Sequence, residues 1–446
     1  MTSDQHFFSL TNTKYSILII SVFIVLLGIE NVDAIVARFL AQFNTSTAGM
    51  TLFIIISIGY ILGQFFLLRF MNSSSRTIKV RSSLISNLHK AVTIVQWALV
   101  GNIILLLVQM SLLSSYSILS LVFVAYVTNF FTAGLLVVFA LRFFSWYRNG
   151  NHSLGILLYS LAFIILATSE VFAGIGSGYL LWQKDEIVSP ASEVHFRNFP
   201  EGSLLDIFFS SYSYVDYSSF LLTLVASALL LYHYSKKART PKMIIIIALP
   251  ILGYTATILD ALNIYDTATN PDLFYYYIFQ SLASISGGAL FAFSFWFISI
   301  RLPESPVKTF LKIASLGFVI LYLSNHIDVN SGPYPPYGIN SLSLLPLASY
   351  FVLFGLYSSA LSLSQDITLR QHLRSIAKND SNLLSSIGTA QMEREVNRAV
   401  GELKEVADEE EKELAEKSGI ETPVPESEIE DYLKQVIEEV AKTRKK

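Results

Sequence analysis

The sequence predicts an all-α membrane protein: a bundle of about ten transmembrane helices, followed by a cytoplasmic C-terminal tail that is helical or forms a coiled coil. Of its 446 residues, 52% are hydrophobic and only 15% are charged, whereas soluble chains carry about 25% charged residues. The apolar residues are gathered in long runs, and the loops between the runs are alternately rich and poor in Lys and Arg. This composition excludes an ordinary soluble enzyme.

Ten apolar runs have the length of a membrane span, which needs about 20 residues. Because lipid cannot satisfy backbone polar groups, each run is predicted to be a helix. Runs such as 17–27 also lack the alternation that is typical of barrel strands. In chain order the predicted spans are 15–33, 48–69, 91–113, 117–141, 154–182, 207–234, 243–263, 273–300, 308–326 and 340–364.

The basic residues of the loops predict the orientation of the bundle. One side, which includes the loops 69–90 and 235–242, carries 15 Lys and Arg residues, whereas the other side carries only Arg38, Lys184 and Arg197. Basic loops stay in the cytoplasm. We therefore expect a multi-pass protein of the cell membrane with both termini cytoplasmic, and with residues 1–365 as its membrane domain.

The composition changes sharply after residue 365. Residues 367–446 hold 13 basic and 18 acidic residues, a net charge of −5. Apolar positions at heptad spacing, among them Leu383, Ile387 and Ala390, predict a charged helix over 366–418 that is able to form a coiled coil.

A linker and a short amphipathic helix are predicted over 419–446. Apolar stripes need a cover, so we expect a cytosolic protein partner or a second copy of the chain to bind through 366–442. The alternative is a solvated tail that folds only onto its own base. The acidic charge argues against nucleic acid as a partner.

Glu170 is the clearest polar candidate within a span. Charges at membrane depth are costly and usually functional, and three glycines follow at positions 174, 176 and 178. The functional interpretation is a carboxylate that carries a proton or cation, or that contacts a ligand. The alternative is a protonated side chain that hydrogen-bonds to a neighbouring helix.

Four further residues are candidates for a ligand or ion pathway. Asp216 and Asp260 fall in the outer halves of spans six and seven, where they either line a polar cavity with Glu170 or lie hydrated among the lipid headgroups. Asn102 and Asn129 lie in spans three and four, and hydrogen bonding between helices is the commoner use of such amides.

The sequence has no Cys and no nucleotide-binding, metal-binding or nucleophile motif. We therefore predict no catalytic residue, metal or cofactor, and no enzyme activity. The first functional hypothesis is a receptor, sensor or scaffold that relays to cytosolic partners through the tail. The alternative is a secondary transporter for a small solute with Glu170 as its intramembrane carboxylate; a membrane enzyme that acts on lipids has the least support.

Overall fold

The structure is a computed structural model of the chain. It describes residues 25–26, 28–29, 47–79, 83–149, 153–192, 202–234, 250, 273–324, 334–366, 368–369, 383–384, 386–398 and 401. Within these ranges, the side chains of 75–79, 149, 233–234 and 273–285 are left undescribed.

The described chain is almost entirely helical. In order, its elements are α1 (Thr47–Lys79), α2 (Ser83–Leu113), β1 (Tyr116–Ser117), α3 (Ile118–Asn149), α4 (Leu154–Trp182), β2 (Ile187–Val188), α5 (Leu204–Tyr234), α6 (Leu273–Arg301), α7 (Pro306–Ser324), α8 (Ile339–Leu342) and α9 (Leu345–Gln365). Within the described residues, seven helical segments are long and apolar enough to cross a membrane: α1 to α5, α7, and α8 together with α9. The prediction of a multi-helix membrane bundle is confirmed at this level.

Seven of the ten predicted spans coincide with these segments, although four helices extend well beyond the predicted bounds. Helix α1 continues to Lys79 and α3 continues to Asn149. Helix α2 begins at Ser83 and α5 begins at Leu204. The eighth predicted span, 273–300, coincides with α6. The first and seventh predicted spans, 15–33 and 243–263, lie outside the described residues except for five positions, so the count of ten stays a prediction.

Helix α9 lies at the centre of the bundle, where every residue from 345 to 361 is buried. It is apolar on all sides, as expected of a helix with no face in solvent. It packs against α7, α3 and α2, while α3 packs with α4, α4 with α5, and α6 with α7. The contact between α7 and α9 is close because a Cβ at Gly317 would lie 2.7 Å from the backbone nitrogen of Val352, the small-residue packing that membrane helices favour.

Three loops meet at one end of the bundle. The strands β1 and β2 pair antiparallel, with Tyr116 opposite Val188. The ring of Tyr116 also stacks on Tyr334, with 6.1 Å between the ring centroids. The loops after α2 and α4 and the loop before α8 therefore share one face, which is the predicted outer face.

The first part of the tail packs at the opposite end. Residues 386–398 are helical, and the indole Nε1 of Trp146 donates a 2.9 Å hydrogen bond to Oε1 of Gln391. The hydroxyl of Ser364 shares its hydrogen between the carbonyl of Leu361, at 2.8 Å, and a carboxylate oxygen of Glu395, at 3.2 Å. The tail segment, residues 383–384 and 386–398, is therefore tied to the ends of α3 and α9.

The apolar stripe of the tail segment joins the core of the bundle. Leu383, Ile387 and Ala390 are buried in the same hydrophobic cluster as the bundle helices. Leu383 lines a cavity with Gly155 of α4 and Leu230 of α5. In the tail segment the cover for the stripe is the protein's own base. Apart from 366, 368–369 and 401, the rest of the predicted coiled coil over 366–418 lies outside the described residues, as does the predicted helix over 419–446.

Candidate functional site

Glu170 lies near the middle of α4 and is 1% exposed. Neither carboxylate oxygen has a hydrogen-bond partner among the residues that the structure describes. Helix α4 places it there because the residues around it are apolar and pack inward. An ionised carboxylate without donors is very costly in such surroundings. Glu170 must therefore hold a proton, or its charge must be balanced by a cation.

Asp216 lies beside Glu170 on the neighbouring helix. The Ser169 hydroxyl donates a hydrogen bond of 3.2 Å to its carboxylate. The hydroxyls of Tyr159 and Ser227, 3.0 Å apart, fix the same antiparallel register of α4 and α5.

The length of α5 changes the interpretation of Asp216. Because α5 begins at Leu204, Asp216 is about 18 Å along it, near the middle of the helix and away from headgroup level. Two acidic residues on adjacent helices therefore lie at one depth.

Helix α3 adds one polar side chain at this depth, Thr132, and a second, Asn129, about 6 Å away along the helix. Asn129 is buried, and its Cβ lies only 3.2 Å from the position that a Cβ on Gly174 would occupy. Phe139 and Phe163, with ring centroids 4.4 Å apart, set a register that brings Thr132 level with Glu170. The Thr132 hydroxyl is buried and has no hydrogen-bond partner among the described residues.

The structure thus brings together three of the five candidates, on the successive helices α3, α4 and α5. We refer to Asn129, Glu170 and Asp216 as the acidic cluster. Asn102 does not belong to it, because its amide donates to the carbonyl of Ser120 at 3.1 Å. That contact lies nine residues from Asn129 along α3, or about 14 Å. Asp260 lies outside the described residues.

A second buried polar group was missed by the sequence analysis. We call it the kink junction: Ser57, Tyr60 and Gln64 of α1, Gln96 of α2, Asn340 and Ser341 of α8, and Ser343 between α8 and α9. The Nε2 of Gln64 donates to the Ser343 hydroxyl at 2.8 Å, and the Nε2 of Gln96 donates to the Ser343 carbonyl at 3.0 Å.

Further bonds close the kink junction. The hydroxyls of Tyr60 and Ser341 are 2.7 Å apart, and the amide of Asn340 donates to the Ser57 hydroxyl at 3.0 Å. Three segments of the chain, α1, α2 and residues 340–343, are thereby joined by hydrogen bonds near the middle of α1 and α2.

Pro346 explains why the chain kinks here. It has no N–H to donate to the carbonyl of Leu342, four residues earlier, and its ring disfavours a straight helix at that point. The kink leaves the Ser343 carbonyl to be bonded by Gln96. Pro346 within an apolar run, together with glutamines in two other spans, is the sequence signal that would have predicted this site.

The kink junction is incompletely satisfied. Gln64 and Gln96 are fully buried, and their Oε1 atoms have no donor among the described residues. A buried acceptor without a donor costs about 1–3 kcal/mol. A bound group that satisfied these two oxygens would therefore stabilise the kink junction.

The described residues contain no group of three or more His, Cys, Asp or Glu side chains that could hold a metal ion. The arrangement instead offers two buried polar sites near the middle of the helices, one neutral and one acidic. It also places the tail segment against the end of the bundle opposite β1 and β2. Comparison with known proteins gives no relative: no family model, no curated protein and no solved structure matches this chain.

Proposed function

We propose that the chain is a membrane receptor or sensor, or a scaffold, that relays a change within its bundle to cytosolic partners through its tail. The observation that carries the proposal is the course of α9. It begins at the kink junction and ends beside the tail segment, about 31 Å away for its 21 residues. One buried helix therefore links a polar site to the output element.

The contacts at the inner end of α9 support this relay. Tyr357 stacks on Trp146, with ring centroids 6.2 Å apart, and Trp146 in turn holds Gln391. Ser364 holds Glu395. A shift or rotation of α9 would change these contacts together, because packed helices switch between discrete arrangements.

The relay predicts that a change at the kink junction alters the tail segment. In Gln96→Met the bond to Ser343 is lost while side-chain volume is nearly kept. We expect faster hydrogen exchange at the amides of 386–398, measured by mass spectrometry on the full chain in nanodiscs. Gln109→Met on the same helix is the matched control. Among the described residues, Gln109 accepts a hydrogen bond from the backbone N–H of Ser117, at the proposed outer end.

The relay would be contradicted if Gln96→Met loosened α8 but left the exchange of residues 386–398 unchanged. A change of the same size in Gln109→Met would also count against it, because the effect would then be a general softening of α2.

The proposed orientation places β1, β2 and Tyr334 outside and the tail segment in the cytoplasm. Since the chain has no Cys, single cysteines report topology without a background. With intact cells, an impermeant maleimide should label Asp185→Cys in the loop after α4 and should not label Ser73→Cys near the end of α1, both exposed positions. The reverse pattern would place the tail outside and overturn the orientation.

The docked tail segment restricts the proposed partners. Its stripe is buried on the bundle, so a cytosolic partner or a second copy must displace it or bind elsewhere within 366–442. The lipid bilayer remains the proposed surrounding medium. We retain, as predictions, that the protein binds no nucleic acid, needs no cofactor and is not an enzyme.

A second candidate is a secondary transporter for a small solute, and the acidic cluster favours it. A buried carboxyl without a hydrogen-bond partner among the described residues, level with a second acidic residue, is the arrangement that proton and cation carriers use. The kinked segment α8–α9 adds to this, because interrupted helices at mid-depth are typical of transporter sites.

A further inference from the structure

The kink junction fixes the orientation of two buried amide groups. Gln96 faces the Ser343 carbonyl, which can only accept, so the NH₂ of Gln96 must point toward it. The Ser343 hydroxyl gives its hydrogen to the carbonyl of Asn340 at 2.6 Å. It must therefore accept from Gln64, whose NH₂ likewise points toward Ser343.

The two amide oxygens are consequently left as acceptors. Each sits on the same carbon as a nitrogen that bonds Ser343, so both lie close to one residue. Both are buried and have no donor among the described residues. The carbonyl of Leu342 is a third candidate acceptor, because Pro346 has no N–H to donate to it. The candidate oxygen acceptors therefore come from α1, α2 and α8.

We propose that the kink junction binds a small monovalent cation, an alkali ion or ammonium, through the amide oxygens of Gln64 and Gln96 and the carbonyl of Leu342. A set made only of acceptors repels anions. Neutral amide and carbonyl oxygens replace the hydration shell of alkali ions in channels and transporters. Divalent ions are bound through carboxylates, and the three ligands proposed here include none.

The bound cation joins α1 and α2 to the start of α9. The cation satisfies oxygens that are otherwise buried without donors. It binds the folded chain and not the unfolded chain, because only folding brings these oxygens together. Its binding must therefore raise the thermal stability of the protein in a concentration-dependent way. The proposal stands whether the protein is a relay or a transporter.

The test uses the full chain purified in detergent, with thermal unfolding followed by tryptophan fluorescence. The probes are sodium, potassium and ammonium chloride, each titrated against N-methylglucamine chloride at constant ionic strength. We expect a saturable rise in Tm with at least one of the small cations. The sodium and potassium arms distinguish an alkali ion from ammonium.

Substitutions then place the ion. The double variant Gln64→Met, Gln96→Met should lose the ion-dependent rise in Tm, or should need at least about tenfold more ion to reach it. Gln109→Met should respond like the unchanged protein. A rise that persists in the double variant would overturn the proposal and point to the acidic cluster as the site.

Direct binding keeps the proposal testable if the double variant does not fold. Equilibrium binding of radioactive sodium or rubidium to the unchanged protein should saturate and should be displaced by the same unlabelled ion. Equal Tm in all salts, or the absence of saturable binding, would mean that a structural water alone fills the kink junction, and the proposal would fail.

Discussion

Replacement of Gly355 by Val should abolish stable folding of the bundle. A Cβ at this position would lie 2.5 Å from the backbone nitrogen of Ala314 and 2.6 Å from the carbonyl oxygen of Phe310. Both atoms belong to the backbone of α7 and cannot rotate aside. Overpacking a well-filled core already costs about 1–3 kcal/mol, and here α9 has no free face onto which it could move.

The measurement is the yield of monodisperse protein on size exclusion and its Tm in detergent. Gly101→Val is the matched control, because Gly101 is also within a helix but a Cβ there meets nothing within 4 Å. Gly355→Ala should fold with a Tm that is lower by several degrees. Equal Tm values for Gly355→Val and Gly101→Val would show that α7 and α9 do not pack as described.

If the protein is a transporter, Glu170→Gln should abolish flux while leaving the fold intact. The amide keeps the size and hydrogen-bonding capacity of the carboxyl but can neither bind a proton at neutral pH nor balance a cation. Because Glu170 is buried without a partner among the described residues, its loss removes no hydrogen bond that those residues make. We expect an unchanged or higher Tm, since no buried charge remains to be neutralised.

The assay is flux into proteoliposomes driven by a pH gradient or a sodium gradient, read with a pH-sensitive dye or radioactive sodium. Glu186→Gln, the same change at an exposed position in the loop between α4 and β2, should transport normally. Full flux in Glu170→Gln would remove Glu170 as the coupling group. Flux in a chain that lacks residues 366–446 would show that transport does not require the tail.

The sequence was sufficient to predict the membrane class and most helices. A run such as 154–182 can be satisfied in lipid only as a helix, and α4 has the same bounds as that prediction. Helix ends were less accurate, because polar residues before the predicted starts of α2 and α5 continue those helices. The depth of Asp216 changed for this reason.

Local sequence was enough to predict that Glu170 is a buried polar residue, since it lies within a long apolar run of the chain. Its neighbours were decided only by tertiary packing. Asn129 and Asp216 are 41 and 46 residues away in the sequence. The registers of the helices bring Asp216 to the depth of Glu170 and bring Asn129 to within about 6 Å of that depth. Asn102 was equally polar in sequence, yet its bond to Ser120 takes it to a different place.

The hydrophobic pattern by itself thus determined which segments are long and apolar enough to cross a membrane, because that property depends on composition and length alone. The kink junction and the docked tail segment were decided by the tertiary structure. Gln64, Gln96 and Ser343 meet across nearly 280 residues, and Trp146 meets Gln391 across 245. Such pairings depend on how helices are arranged around α9, which no periodicity within one helix encodes.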